Sequence, residues 1–259
     1  MIQSDFLNDD SKIRESLIID SFSKFVKSYE QHASLQKTMG ERLAAFLETN
    51  SYETIIEIGC GTGLFTRHLL NLSFRKLFLN DLTHAMINRL KKQIELPSNA
   101  ILSVGNAEKL KFPKADLIAS NAVFQWFQSP RETLKHLTGF MNLKGKLIFN
   151  AFGPRTLAEL RRVSGVNSPT NLMAQSYWEE IISESGLHVI ETASEIKKII
   201  FPSAYALIKN LQQTGTAPMH LLNTGKLRKV IREYDSLFTG PNGVYSNWEI
   251  YYFHASKQE

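Results

Sequence analysis

Residues 54–63 read TIIEIGCGTG: a β-branched run, one acid, then glycines at 59, 61 and 63 alternating with small residues. The run has the composition of a buried strand. GLFTRHLLNL (63–72) behind it has apolar residues at helical spacing. Three glycines therefore stand where a strand hands over to a helix. Lacking Cβ, they permit positive φ and let a ligand lie against the backbone, while the helix beyond offers unpaired N–H groups.

Working outward, strand and helix patterns alternate. KLFLND (76–81) reads as a second strand, THAMINRLKKQIE (83–95) as a helix, AILSVGN (100–106) as a third strand and ADLIASNAV (115–123) as a fourth. RETLKHLTGFM (131–141) reads as a helix and GKLIFNAF (145–152) as a fifth strand. Such interleaving predicts an α/β protein with a mostly parallel sheet covered by helices on both faces. Upstream, residues 12–48 read as helical, with Leu43, Phe46 and Leu47 spaced for one buried face. Beyond residue 152, TLAELRRVSG and SYWEEIISESG read as helices, GLHVIETASEIKKIIF as two strands and NWEIYYFHASK (247–257) as a closing strand. The helical stretch between the last two strands, about 203–243, is too long for a simple connection and is expected to form a cap over the sheet's working edge. We therefore expect an N-terminal helical segment over the site at 1–50 and a main domain at 51–259.

Composition narrows the classes. The 259 residues are 43% hydrophobic, and no apolar run approaches the roughly 18 residues of a membrane span. MIQSDFLNDDSKIRES lacks the apolar region of a secretory signal, so cytoplasmic residence is the expectation. Cys60 is the single cysteine and has no Cys or His ligand set near it, so no metal is expected. A net charge of +5 favours an acidic partner, yet no nucleic-acid-binding module is visible. The densest basic stretch is KLRKVIREY, with Lys226, Arg228, Lys229 and Arg232.

In open parallel sheets the first strand-to-helix turn touches the ligand most closely. The dinucleotide fingerprint needs a third glycine where Leu64 stands, and a P-loop needs a lysine that does not follow. Instead Glu57-Ile58-Gly59-Cys60-Gly61-Thr62-Gly63 resembles the first motif of class I S-adenosylmethionine-dependent methyltransferases. That resemblance implies a Rossmann-like fold with a seven-stranded sheet, and the cofactor S-adenosyl-L-methionine, leaving as S-adenosyl-L-homocysteine. Glu57 is then expected to orient the methionyl amino end, while Gly59, Cys60, Gly61 and Gly63 make room for that moiety. Asp81 ends the second strand, where a carboxylate can accept both ribose hydroxyls; its plainer role is a helix N-cap. Asn106, Ala107 and Glu108 end the third strand. An Asp commonly occupies the place of Asn106 in that family and accepts the adenine amino group; Asn accepts through its amide oxygen without charge assistance. Leu82 and Asn121 complete the expected cofactor set.

Further blocks narrow the resemblance: SFSKFVKSYEQHASLQ (21–36), SNAVFQWF (120–127), FGPRTLAELR (152–161) and LIKNLQQTGTAP (207–218). Together they resemble the malonyl-acyl carrier protein O-methyltransferase (BioC) family of biotin synthesis, from about residue 20 onward. The implied reaction methylates the free carboxylate of a malonyl thioester, on acyl carrier protein or CoA, removing its charge so that elongation enzymes accept it. No general base is expected, because such a carboxyl, with a pKa near 4, is already ionised at neutral pH. Arg161, Arg155 and Lys209 are the candidate cations for the substrate carboxylate, Arg161 first because a guanidinium meets a carboxylate bidentately. Tyr29 and His32 are expected to line the cofactor or substrate pocket, and Gln125 and Trp126 the mouth of the sheet. The basic KLRKVIREY stretch is expected to steer an acidic carrier protein. A monomer that binds neither nucleic acid nor membrane is expected. A methyltransferase of another small acid or a quinone precursor, and a noncatalytic ligand-binding protein, are the alternatives.

Overall fold

The computed structural model describes residues 3–166, 170–215 and 223–258, with side chains from residue 13 onward. In chain order the helices are α1 (Gln3–Phe25), α2 (Tyr29–His32), α3 (Ser34–Leu43), α4 (Thr66–Leu69), α5 (His84–Gln93), α6 (Pro130–Thr138), α7 (Ala158–Ser164), α8 (Gln175–Glu184), α9 (Ala204–Gln213) and α10 (Thr224–Leu237). The strands are β1 (Ser51–Ile58), β2 (Ser73–Asp81), β3 (Ala100–Val104), β4 (Ala115–Ser120), β5 (Met141–Phe152), β6 (Leu187–Phe201), β7 (Thr239–Gly240) and β8 (Gly243–Lys257).

Seven strands form one sheet in the order β3-β2-β1-β4-β5-β8-β6, and the two-residue β7 pairs with β8 at the side. β1 to β5 are mutually parallel, whereas β8 is antiparallel to both β5 and β6. The chain leaves β1 in one direction for β2 and β3, then returns past it to β4. The crevice beyond the ends of β1 and β4 is thus the switch point where ligands of open α/β sheets bind.

Alternation along each strand builds two cores. Ile55, Leu117, Ile148 and Tyr252 face one layer, with Met39 and Leu43 of α3, Ile87 and Leu90 of α5, and Leu207 and Leu211 of α9. Their neighbours Ile56, Ile118, Phe149 and Phe253 face the other, with Leu134 and Leu137 of α6 and Trp178 and Ile181 of α8. A period of two puts successive residues on opposite faces, and both faces are dry because helices cover each.

Three readings need correction. The expected single helix over 12–48 is three helices, because the backbone turns out of helical geometry at Ala33 (φ −91°, ψ 32°), and Ser28 Oγ bonds back to the Phe25 carbonyl. Residues 63–72 hold only the four-residue α4, since β2 begins at Ser73 and leaves no room for more. Residues 187–201 form one strand: a bulge between Val189 and Glu191 shifts the register without a turn. Among the described residues, no helix is long and apolar enough to cross a membrane.

Candidate functional site

The glycine turn opens onto a cleft of about 940 Å³, its mouth included, at the switch point. A smaller cavity of about 290 Å³ continues it behind the turn. Tyr29, Gly59, Gly61 and Asn121 lie on both.

The three glycines all have positive φ, at 70°, 54° and 95°, but neighbours separate them by purpose. A Cβ on Gly63 would stand 2.3 Å from Ile94 Cδ1 and 2.5 Å from Leu90 Cδ1, so this glycine lets α5 approach. A Cβ on Gly59 would stand 2.3 Å from Val123 Cγ2, so this one admits the turn after β4. On Gly61 it would meet nothing within 4 Å. Gly61 is bare toward open cleft, and its N–H donates to Asp81 Oδ2 at 2.9 Å.

Asp81 is buried, and its other oxygen accepts from the Thr83 N–H (2.8 Å) and hydroxyl (3.2 Å). Thr83, rather than Asp81, caps α5 through the Met86 N–H. Burial raises the Asp81 pKa above its ordinary value, opposed by these donors. A carboxylate offers about four acceptor sites; Gly61 and Thr83 take three, and the remaining capacity is on Oδ2, on the cleft wall. Glu57 lines the rear cavity at 1% exposure and accepts from Thr66 Oγ1 at 2.7 Å. Burial first, with the Asp81 charge adding, pushes its pKa up to about 8 despite the Thr66 bond. The same cavity holds the Thr62 hydroxyl, buried without a hydrogen-bond partner among the described residues, and the buried Gln36. Burial also raises the Cys60 thiol, which keeps it protonated and unsuited to nucleophilic work.

The turn after β4 is held by a polar set. Asn150, fully buried in β5, donates to Asn121 Oδ1 at 2.7 Å and accepts from the Ala122 N–H at 2.6 Å. Ala122 has φ 58°, which an L-residue adopts only where its surroundings hold it. The Asn121 amide nitrogen donates to the Gln36 carbonyl at 3.0 Å, so α3 and β5 together aim it at the junction of the two spaces.

Tyr29, Leu82, Asn106, Ala107, Glu108 and Trp126 all line the cleft. Glu108 accepts from the N–H groups of Gln128 (3.0 Å) and Ser129 (3.2 Å), bracing the entry to α6. Trp126 meets Phe22 of α1 edge to face at 5.3 Å. Other expected residues are not brought to the cleft lining. His32 ties α2 to Asn210 of α9, at 3.4 Å through its carbonyl. Gln125 is buried and donates to the Ala122 carbonyl at 2.6 Å. Both terminal nitrogens of the Arg161 guanidinium donate to its own loop, to the carbonyls of Thr156 and Pro154. Arg155 is exposed beside Glu249 at 3.7 Å, and Lys209 is exposed on α9. The cation in the cleft lining is Arg14 of α1, which donates to the Trp126 carbonyl at 3.5 Å.

Sequence reading missed Arg14, Glu15, Ile18 and Phe22, a face of α1 that roofs the cleft. It also missed Thr62, Gln36 and Asn150. Thr62 lies within the glycine motif, Phe22 and Gln36 within the 21–36 block, and Asn150 stands as a lone amide within an apolar strand, whereas Arg14, Glu15 and Ile18 carry no signal. Part of one sequence block, residues 216–218, lies outside the described residues. Among the described residues, no group of three or more His, Cys, Asp or Glu is placed to hold a metal ion.

The fit to a nucleoside carrying an amino-acid tail rests on three features: a backbone left bare at Gly61, a buried carboxylate beside it, and an unpartnered hydroxyl behind. Residues 56–149 match the methyltransferase domain family. Phosphoethanolamine N-methyltransferase 2 of Haemonchus contortus, solved with S-adenosyl-L-methionine, shares the fold at TM-score 0.59 and 15% identity, over 92% of this chain and 57% of that one. The malonyl-[acyl-carrier protein] O-methyltransferase of Haemophilus ducreyi is 28% identical, over 91% of this chain and 94% of its own. The enzyme of that name from Paenibacillus sp. (strain JDR-2) is 30% identical over 254 residues, 86% of this chain and 91% of its own. By this likeness, which covers most of both chains, the chain belongs to the malonyl-[acyl-carrier protein] O-methyltransferase family.

Proposed function

We propose that this protein transfers the methyl group of S-adenosyl-L-methionine to the free carboxylate of a malonyl thioester carried by acyl carrier protein, as a step of biotin synthesis. The observation that carries this reading is the whole-length likeness to enzymes of that name, coinciding with a cleft at the sheet's switch point.

Bound in the cleft, the cofactor supplies an electrophilic methyl on a positively charged sulfur. This chain's residues place it. Asp81 accepts the ribose hydroxyls, Gly61 gives the backbone room, and Glu57, Thr62 and Gln36 form the polar rear wall for the amino-acid end. Asn121, fixed by Asn150 and the Gln36 carbonyl, stands where the two spaces meet. With the nucleophile already ionised, no side chain has to remove a proton. The protein's work is alignment and water exclusion, of which well-oriented positioning contributes about 7–11 kcal/mol at best. Phe22, Trp126 and Val123 keep the cleft apolar, and Arg14 takes the place that Arg161, Arg155 and Lys209 were expected to fill. Tight pairing of the nucleophile would lower its reactivity, so a guanidinium already engaged with the Trp126 carbonyl suits the task better than an unshared one. Lys226, Arg228, Lys229 and Arg232 lie exposed on α10, where they can meet an acidic carrier protein.

The test is methyl transfer from labelled cofactor to malonyl, succinyl and acetyl thioesters. The malonyl compound is expected to gain a methyl ester and the acetyl compound, which has no free carboxylate, none. Failure to esterify malonyl on either carrier protein or CoA overturns the reading.

A further inference from the structure

The end of the cleft beyond Asp81 and Leu82, where the adenine of the proposed cofactor would lie, is bounded by Asn106, Ala107 and Glu108 of the turn after β3 and by Glu15 from α1. Asn106 cannot turn its amide oxygen freely toward a ligand. Its nitrogen lies 2.8 Å from Glu15 Oε2, and a carboxylate only accepts, so the atom facing it is the NH₂ group. The Asn106 oxygen is thereby turned away and accepts from the Glu108 N–H at 2.9 Å. Glu15 is held in turn: Lys109 Nζ reaches the same Oε2 at 2.9 Å, so both bonds that it accepts from described residues end on one oxygen. Desolvation raises its pKa, but the donors Asn106 and Lys109 outweigh this, so it stays a carboxylate at neutral pH. Its side chain keeps 29% exposure, on the cleft wall.

We infer that Glu15 reads the adenine base, accepting the exocyclic amino hydrogen through Oε1, while Asn106 and Lys109 fix its other oxygen. The negative charge that Asn106 lacks is thus supplied from α1, across the cleft rather than from the strand end. Glu15 then serves both cofactor specificity and, with Arg14 and Phe22, the seating of α1. The inference rests on the proposed cofactor, and its test separates the two.

Binding of S-adenosyl-L-homocysteine and S-inosyl-L-homocysteine is compared by calorimetry. The inosyl compound replaces the amino donor with a carbonyl, which a carboxylate repels and a carboxamide accepts as a partner. Wild-type protein is expected to prefer the adenosyl compound by about tenfold or more, and Glu15→Gln to reduce that preference to about threefold or less. Lys109→Met, which loosens α1 but keeps the acceptor, is expected to weaken both ligands alike and leave the ratio unchanged. If Glu15→Gln keeps the wild-type ratio, Asn106 or another group reads the base and the inference is overturned while the proposed cofactor stands. If wild-type protein binds neither compound, the cofactor assignment falls, and this inference with it.

Discussion

Alanine at position 61 separates the ligand's demand for glycine from the fold's. Gly61 has φ 54°, and a Cβ there meets nothing within 4 Å. Left-handed backbone costs an L-residue about 1–2 kcal/mol, while the stiffer unfolded chain returns roughly 0.4–1 kcal/mol. The net loss is therefore about 1 kcal/mol, or roughly 2–4 °C in Tm for a domain of this size. Gly63→Ala is the contrast. It adds the same strain to a clash with Ile94 and Leu90 at 2.3 and 2.5 Å. Both contacts are with flexible side-chain ends, so the clash resembles overpacking at about 1–3 kcal/mol, for a total of roughly 2–4 kcal/mol. Binding should invert this order. A methyl group placed where a ligand lies against the backbone costs about 1–3 kcal/mol, so Gly61→Ala is expected to weaken S-adenosyl-L-homocysteine by about tenfold to a hundredfold. The assays are thermal unfolding of the unliganded proteins and calorimetric titration. A Gly61→Ala protein that binds within twofold of wild type refutes the argument, because no ligand then approaches that backbone.

Two more outcomes follow from charge. Glu57, ordinarily near 4.5, is held protonated up to about 8, so between these values the native chain binds more protons than the unfolded one; stability of the unliganded protein falls as pH rises through this window, and Glu57→Gln flattens the slope of Tm against pH. Reversing Lys226, Arg228, Lys229 and Arg232 of α10 together should raise KM for carrier-bound malonyl severalfold with malonyl-CoA little changed, and equal effects on both substrates would remove α10 as the docking face.

The sheet was legible because its signals are local. β1, β2 and β4 announce themselves by apolar composition, and the glycine turn fixes which strand end meets the ligand. Asp81 reads as an N-cap by itself, and it is its spacing after the glycine turn that points it to the cleft it lines. What resisted reading depends on contacts between distant segments. FGPRTLAELR offers two arginines, but only the fold shows Arg161 closing its own loop and Arg155 turned to Glu249. No periodicity in α1 distinguishes Arg14 and Glu15 from an ordinary solvated face, since their partners Trp126 and Asn106 lie about a hundred residues away. Residues 187–201 read as two strands because fifteen residues exceed the usual strand length, and only the continuous pairing along β8 shows one strand carried past a bulge.

The position of β8 bears on how the molecule is made. It is synthesised after β6, yet it lies between β5 and β6, antiparallel to each. A nascent chain that has passed residue 201 therefore carries two strands with unsatisfied edges and no neighbour to zip them together. Such margins are templates for pairing with foreign chains. Until residues 243–257 leave the ribosome, the growing polypeptide must be shielded or must wait unfolded, and ribosomes stalled short of that point should yield aggregation-prone fragments rather than a smaller working sheet.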